Sequence, residues 1–316
     1  MTSAILLALA PIFFVLALGY GAGRAGIVDN DNVDSLNALV MKFALPASLF
    51  AATASAPRSE MFAQAPLFAI LGGVMLAVFL VWYFASKLVF KENRANASLQ
   101  ALTIAFPNLA GVGLPIMSAV VGPSGTVPLA IALASGSIIV SPLTLIIVEM
   151  STGTKADSAQ TPTARIVNAV WHALTKPVVL APALGILFSL CGLKTGSVID
   201  ACLLLIGQAA PGVALFLTGL IVSSQAFRLN WKIVGATAMA DIIRPLLTAA
   251  VVFSLPISPE TARIAVLLAA LPSGFFGILF AVNYRLDSGA AGSMVAASTV
   301  FSILTMAIAI AVLFPQ

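Results

Sequence analysis

The residues with the clearest potential for chemistry interrupt an apolar stretch that reads AFPNLAGVGLP from residue 105 to residue 115. Proline removes a backbone donor and glycine tolerates irregular backbone, so Pro107, Gly111 and Gly113 predict a broken helix. Asn108 adds an amide that can donate or accept hydrogen bonds. Backbone groups freed inside a membrane are costly unless they face protein or a water-filled cavity, so this break predicts a binding site.

A second interruption, LPSGFFG at residues 271–277, places Pro272 and Ser273 in a matching context. No charged residue occurs between residues 94 and 149 or between residues 263 and 285. Half-helices that begin after each break would direct backbone N–H groups and positive dipole ends at one site, which suits a carboxylate. Proline kinks in tightly packed helices are the alternative, and a matched pair of breaks disfavours it.

Three further polar residues lie within the apolar stretches. Asp241 and Arg244 are three residues apart, share a helix face, and can neutralise each other, so both are candidates for proton or ion coupling. Asp241 could carry a proton or belong to a structural ion pair, and the sequence favours neither. Ser48, which follows Pro46, would face the site if its helix lines it.

The composition indicates that these residues lie in membrane-spanning helices. Of 316 residues, 15 are Lys or Arg and 11 are Asp or Glu, so 8% are charged, against roughly 25% in a soluble domain. The mean hydropathy is +1.10. These values exclude a soluble enzyme, a disordered chain and a nucleic-acid binder. With two cysteines and one histidine, we expect no metal site and no cofactor. The sequence predicts a polytopic, all-α membrane protein.

Polar punctuation divides the chain into ten apolar spans of membrane-crossing length. Their approximate bounds are 3–23, 34–55, 65–86, 97–119, 126–148, 170–191, 199–224, 231–254, 261–282 and 290–314. Loops after the odd-numbered spans hold ten Lys or Arg residues and the opposite loops hold three. Under the positive-inside rule, both termini lie outside the cytoplasm and the protein resides in the inner or plasma membrane.

The spans form two halves with corresponding features. Pro46 and Pro211 are 165 residues apart, as are Pro107 and Pro272. We divide the chain into a first five-helix repeat (1–148), a cytoplasmic linker (149–169) and a second repeat (170–316). An odd number of spans per half inverts the second repeat, so broken spans 4 and 9 would cross at mid-membrane, as in many secondary transporters.

Several of these motifs together resemble the auxin efflux carrier family. They are Asn37-Ala-Leu-Val with Leu45-Pro46, Asn108-x4-Gly113-Leu-Pro115, Arg244-Pro245 and Leu271-Pro272. The family includes bacterial proteins assigned to malonate and other organic acids, and the plant PIN-formed auxin exporters. The resemblance covers essentially the whole chain.

The resemblance implies a ten-helix inverted-repeat fold with elevator-like alternating access, a homodimer, and an organic anion bound beside the crossover asparagine. Carried over, Pro107, Asn108 and Pro272 are crossover residues, and the pocket also includes Ser48 and the span 5 serines Ser137 and Ser141. The related bile-acid sodium symporter fold has an acidic residue beside its second break. This sequence has none there, which argues against sodium coupling of that type.

We therefore predict a secondary transporter that exports small organic carboxylates, auxin-like or malonate-like, across the bilayer. The alternative is a sodium- or proton-coupled organic-anion symporter of the related bile-acid fold. A passive channel is disfavoured by the repeat. An intramembrane enzyme is not expected, because a single histidine at a membrane edge and one mid-span aspartate, Asp241, cannot supply a catalytic constellation.

Overall fold

The computed structural model describes residues 2–29, 33–122, 125–152, 162–224 and 230–314, and the observations below concern these residues. They form α-helices and short π-helical turns. One isolated antiparallel bridge joins Pro107 to Ser273. The helices of the first half are α1 (Thr2–Arg24), α2 (Val33–Leu39), α3 (Leu45–Ala54), α4 (Arg58–Ala63), α5 (Ala65–Leu88), α6 (Arg94–Ala105), α7 (Leu114–Val120) and α8 (Thr126–Thr152).

The second half has nine helices in the described ranges. They are α9 (Pro162–Thr175), α10 (Pro177–Leu190), α11 (Ser197–Gly207), α12 (Ala209–Ser223), α13 (Trp231–Ala238), α14 (Arg244–Ser254), α15 (Pro259–Ala269), α16 (Phe276–Asn283) and α17 (Gly289–Leu313). Helices α8 and α9 both extend into the segment predicted as a linker, whose centre lies outside the described residues.

Six helical segments among the described residues are long and apolar enough to cross a membrane. They are Val33–Ala54, Ala65–Leu88, Thr126–Thr152, Ser197–Ser223, Trp231–Ser254 and Gly289–Leu313. A seventh is counted if Ile166–Thr175 and Pro177–Leu190, which meet at 63°, form one bent span. Predicted spans 4 and 9 fall below this length because each is split into two shorter helices.

Three π-helical turns each end two residues before a proline. They are Val40–Ala44 before Pro46, Leu109–Gly113 before Pro115, and Met239–Ile243 before Pro245. A proline ring clashes with the carbonyl four residues earlier, and the wider π turn relieves the clash. Spans 2 and 8 therefore continue through their prolines as Val33–Ala54 and Trp231–Ser254.

The helices pack as two bodies. In the first, which we call the scaffold, α1 packs on α12 and α10 packs on α3, with α2 and α11 beside them. In the second, the crossover body, α5, α6 and α8 pack together, α14 packs on α15, α13 on α17, and α16 on α6. The two bodies meet where α3 and α10 contact α8, where α2 contacts α16, and where α1 and α12 contact α17.

Candidate functional site

The two breaks lie side by side in the crossover body. The backbone N–H of Asn108 donates to the carbonyl of Pro272 at 2.8 Å, and the N–H of Gly274 donates to the carbonyl of Phe106 at 2.9 Å. Phe106 adopts extended dihedral angles, as the residue before a proline prefers. Each break therefore satisfies part of the other's backbone hydrogen bonding, which neither helix could do alone.

Close approach at this point depends on two glycines of the second break. A Cβ atom on Gly274 would lie 2.3 Å from the carbonyl oxygen of Phe106. A Cβ atom on Gly277 would lie 2.0 Å from Oγ1 of Thr103. Next to this contact, the rings of Phe106 and Phe276 stack with centroids 4.5 Å apart. The crossover is thus tightly packed around its polar backbone.

Arg244 holds the carboxyl ends of both broken helices. Its Nε donates to the carbonyl of Ala269 at 2.9 Å, and its two terminal nitrogens donate to the carbonyls of Leu271 and Ile104. The side chain is fully buried. A guanidinium at the negative ends of two helices complements both dipoles and satisfies carbonyls that the breaks leave free.

Asp241 acts on the second break through Ser298. The Ser298 hydroxyl donates to Oδ1 of Asp241 at 2.7 Å and accepts the Ser273 N–H at 2.8 Å. An ion pair between Asp241 and Arg244, one of the two alternatives that the sequence left open, is not among the salt bridges within 4.0 Å in the described part of the chain. Asp241 lies in the π turn that ends just before Arg244, so the two residues do not have the relative orientation that a spacing of three gives in a regular α-helix. Arg244 instead donates to backbone carbonyls.

The side-chain amide of Asn108 forms a hydrogen bond through its oxygen but not through its nitrogen. Its Oδ1 accepts the N–H of Gly111 at 3.0 Å, which caps the helical segment that follows. Its Nδ2 is buried and has no hydrogen-bond partner. A Cβ atom on Gly111 would lie 2.8 Å from Oδ1, so the glycine makes room for this cap. The arrangement leaves an amide donor available to an acceptor such as a carboxylate.

A cavity of about 1130 Å³ opens between the scaffold and the crossover body. Leu109 and Ala110, the residues after Asn108, lie in its wall. Its polar lining includes Ser48, Gln64 and Gln208. The cavity therefore leads from one face of the protein to the first break.

The predicted pocket residues fall into two groups. Ser48 lines the cavity. The hydroxyl groups of Ser137, Ser141 and Ser273 are buried without a hydrogen-bond partner. Leu133, one helical turn before Ser137, lines the cavity, whereas none of these three serines does. Nδ2 of Asn108 and Oδ2 of Asp241 are likewise buried without a partner, and such atoms in a native interior call for an explanation such as a ligand.

Pro107 and Pro272 lie at the breaks, but Gly113 has a packing role. A Cβ atom on Gly113 would lie 2.6 Å from Cδ1 of Leu129. Sequence reasoning missed Ser298 as a site residue, although Ser298-x3-Ser302 has the same spacing as Ser137-x3-Ser141, which was a usable signal. It also missed the cavity glutamines, for which the sequence carries no signal.

The cavity is acidic at its mouth. Asp200 and Glu260 line it and both are exposed. Asp200 also accepts a hydrogen bond from the Thr195 hydroxyl. No Lys, Arg or His side chain appears in the lining within the described ranges. A search of those same ranges finds no group of three metal-ligating side chains. The donors offered to a ligand are therefore uncharged.

Comparison with known proteins gives one family and several relatives. The family model described as "Membrane transport protein" matches residues 4–310. The "Uncharacterized transporter YfdV" of Escherichia coli K12 is 29% identical over 299 residues, which cover 94% of each chain. An "Uncharacterized transporter" of Methanothermobacter thermautotrophicus is 24% identical over 307 residues, which cover 93% of this chain and 94% of that protein.

Proposed function

Because the chain belongs to the membrane transport protein family, the auxin efflux carrier family that its motifs resemble, we propose that it exports small organic carboxylates. The family and the apolar helices make it a multi-pass membrane transporter. The proposal extends this to auxin-like or malonate-like anions as substrates and to elevator-like alternating access. It includes the homodimer that the resemblance implies.

The observation that carries the proposal is the free amide of Asn108. Its Nδ2 is buried and unpartnered beside a break whose neighbours, Leu109 and Ala110, form the cavity wall. An unmade hydrogen bond at a buried group costs about 1–3 kcal/mol, which a bound acceptor would recover. Because Oδ1 is held by Gly111, the free group is a donor, and it selects an anionic or carbonyl oxygen.

Corresponding caps support the inverted repeat on which the proposed cycle depends. Asn93 accepts the N–H of Asn96 at the start of α6, and Ser258 accepts the N–H of Thr261 at the start of α15. The two caps are 165 residues apart, the same offset as Asn108 and Ser273. Packing also corresponds, since α5 lies on α6 as α14 lies on α15, and α1 on α12 as α10 on α3.

The cavity supports an outward-open conformation. It lies between the ends of α3 and α11 in the scaffold and the starts of α8 and α15 in the crossover body. Positive charge in the loops assigns these ends to the non-cytoplasmic side, with both termini, in the inner or plasma membrane. Movement of the crossover body past the scaffold would close this cavity and open a related one on the other side.

A coupled symporter is the second candidate, and Asp241 favours it. The acid lies two hydrogen bonds from the second break, through Ser298, and its Oδ2 has no partner. A proton or sodium ion at Asp241 would be sensed at Ser273. Carboxylate uptake that requires a sodium or proton gradient would favour this candidate over uncoupled export.

Purified protein in liposomes tests the proposal. We expect accumulation of at least one radiolabelled monocarboxylate or dicarboxylate, and loss of that uptake in Asn108→Ala. Asn108→Asp is the sharper variant, because it keeps the acceptor that caps Gly111 and removes the donor. Asn283→Ala, at the exposed end of α16, is the matched control and should transport normally. A folded wild-type protein that moves no carboxylate from a broad panel would refute the proposal.

A further inference from the structure

The face opposite the cavity is closed by polar links between the scaffold and the crossover body. In the first link, Nδ2 of Asn37 on α2 donates to the carbonyl of Leu279 on α16 at 3.0 Å. Asn37 is 2% exposed, and its Oδ1 has no partner. This is therefore a buried hydrogen bond across the surface along which the two bodies would slide.

The second link centres on Glu149 at the end of α8. Tyr284 follows α16, and its hydroxyl donates to Oε1 of Glu149 at 2.7 Å. Nδ1 of His172, on helix α9 that packs mainly on α8, lies 3.4 Å from Oε2. From the scaffold, Nζ of Lys176 at the start of α10 lies 3.7 Å from Oε1. Lys176 also lies over the Tyr284 ring, 5.4 Å from its centroid. Glu149 and Tyr284 of the crossover body thus face Lys176 of the scaffold.

The electrostatics keep this second link assembled. Burial raises the pKa of Tyr284, and the adjacent Glu149 raises it further, so the hydroxyl stays protonated and remains a donor. The Glu149 side chain is 14% exposed, against 63% for His172. A mostly buried carboxylate that accepts a hydrogen bond from the Tyr284 hydroxyl forms a stronger bond than a neutral acceptor would.

We propose that Asn37 and Glu149, with the partners described above, form a cytoplasmic latch that holds the carrier open to the outside. The latch rests on the proposed alternating access, because only a carrier whose bodies move needs contacts that break in each cycle. The repeat gives an independent sign. Helices α2 and α16 correspond to α11 and α7, and in the described part of the chain α11 does not pack on α7 to the same extent.

Cysteine accessibility tests the latch without any substrate. In a background with Cys191 and Cys202 replaced by serine, Ala52→Cys reports the outer cavity, whose wall Ala52 forms. Val213→Cys reports the inner side, because residue 213 corresponds to Ser48 at the 165-residue offset. A membrane-impermeant maleimide is added to right-side-out or inside-out vesicles, and the rate of labelling is measured.

Removing a latch residue should raise the labelling rate of the inner reporter. We expect the labelling rate to rise about fivefold for Asn37→Ala and about tenfold for Glu149→Gln. A hydrogen bond to a charged group contributes more to stability than one between neutral groups, so its loss should have the larger effect. Glu92→Gln is the matched control. Glu92 pairs with Lys232 inside the crossover body, so its loss should leave labelling unchanged.

Unchanged inner labelling in Asn37→Ala and in the double variant Asn37→Ala with Glu149→Gln, with monodisperse protein, would overturn the latch. An equal rise in Glu92→Gln would overturn it as well, because the links would then be general stabilisers. Asn37→Ala decides the matter alone if Glu149→Gln does not fold. If wild-type protein moves no carboxylate but the latch variants still shift labelling, the substrate proposal fails and the latch stands.

Discussion

Pro107 and Ser273 pair across an antiparallel bridge, although they belong to different halves of the chain. The bridge is flanked by reciprocal backbone bonds, from Asn108 to Pro272 and from Gly274 to Phe106. Neither broken helix can satisfy its own backbone, so each half depends on the other for this region. The candidate site is therefore a joint product of both halves, and changes to either break should affect the whole.

Gly274→Ala should disrupt the crossover. The new methyl group would lie 2.3 Å from the Phe106 carbonyl oxygen, and backbone cannot move aside cheaply. We expect a loss of about 1–3 kcal/mol in stability, the usual cost of overpacking, and loss of uptake. Gly73→Ala is the control, since no atom lies within 4 Å of its added Cβ. Thermal unfolding in detergent compares the two, and equal melting temperatures would contradict the tight approach.

Arg244→Met should be among the most damaging substitutions in the protein. It leaves the carbonyls of Ile104, Ala269 and Leu271 without their donor in a fully buried position. Each buried carbonyl left without a donor typically costs about 1–3 kcal/mol. We expect little monodisperse protein by size-exclusion chromatography. Arg263→Met, at an exposed position, should behave like wild type, and normal behaviour of both variants would reject the clamp.

Ser298→Ala tests the connection from Asp241 to the second break. Loss of the hydroxyl leaves the Ser273 N–H and Oδ1 of Asp241 unpaired, at about 1–3 kcal/mol for each buried group. Ser302→Ala is matched to it, because Ser302 lies on the same helix, is equally buried and bonds only within that helix. Chemical unfolding should show a larger loss for Ser298→Ala. Equal losses would mean that Ser298 is only a helix residue.

The breaks were predictable from sequence because proline and glycine act locally. Pro107 and Pro272 each leave a backbone carbonyl without its helical donor, whatever residues surround them. The positions of the two breaks, and the 165-residue offset between them, can therefore be read from the sequence. Membrane character follows from composition for a similar reason. The family resemblance was likewise readable from short motifs, and it is confirmed by a family match over residues 4–310.

The roles of Asp241 and Arg244 could not be predicted in the same way. Their spacing of three indicated a shared face on a regular helix, but the clash at Pro245 is relieved by a π turn that includes Asp241. Their partners are then set by residues such as Ile104 and Ser298, which are distant in sequence. The cavity wall likewise combines helices from both halves, and no local pattern identifies it.

Acid should remove the contribution of Glu92 to stability. Burial alone would raise the pKa of Glu92, but its hydrogen bond and charge interaction with Lys232, aided by Gln100 and Asn96, hold the pKa below its ordinary value of 4.5. A lowered pKa stabilises the folded protein above the ordinary value, and the gain disappears as the pH falls through the lowered value.

Melting temperatures of wild type and Glu92→Gln should therefore differ at pH 7 and converge below pH 4.5. The corresponding difference in the free energy of unfolding at pH 7 should be below about 1 kcal/mol, as for other partly exposed ion pairs. A gap that persists unchanged at low pH would show that the charge of Glu92 is not its source.

The acidic mouth of the cavity should make transport sensitive to the charge of the substrate. Asp200 and Glu260 repel an approaching anion, and no cationic side chain lines the cavity within the described ranges to offset them. A dianion feels this repulsion twice as strongly as a monoanion. We therefore expect monocarboxylates to be moved faster than dicarboxylates of similar size, most clearly at low ionic strength.

Neutralising the mouth with Asp200→Asn and Glu260→Gln should raise uptake of a dicarboxylate severalfold and that of a monocarboxylate less. Exposed charges are screened within about 10 Å at 0.1 M salt, so added salt should reduce the difference between the variants. Initial rates of uptake at two salt concentrations measure both effects. A double variant that leaves the ratio of dicarboxylate to monocarboxylate transport unchanged at low salt would show that selectivity arises deeper, at the crossover itself.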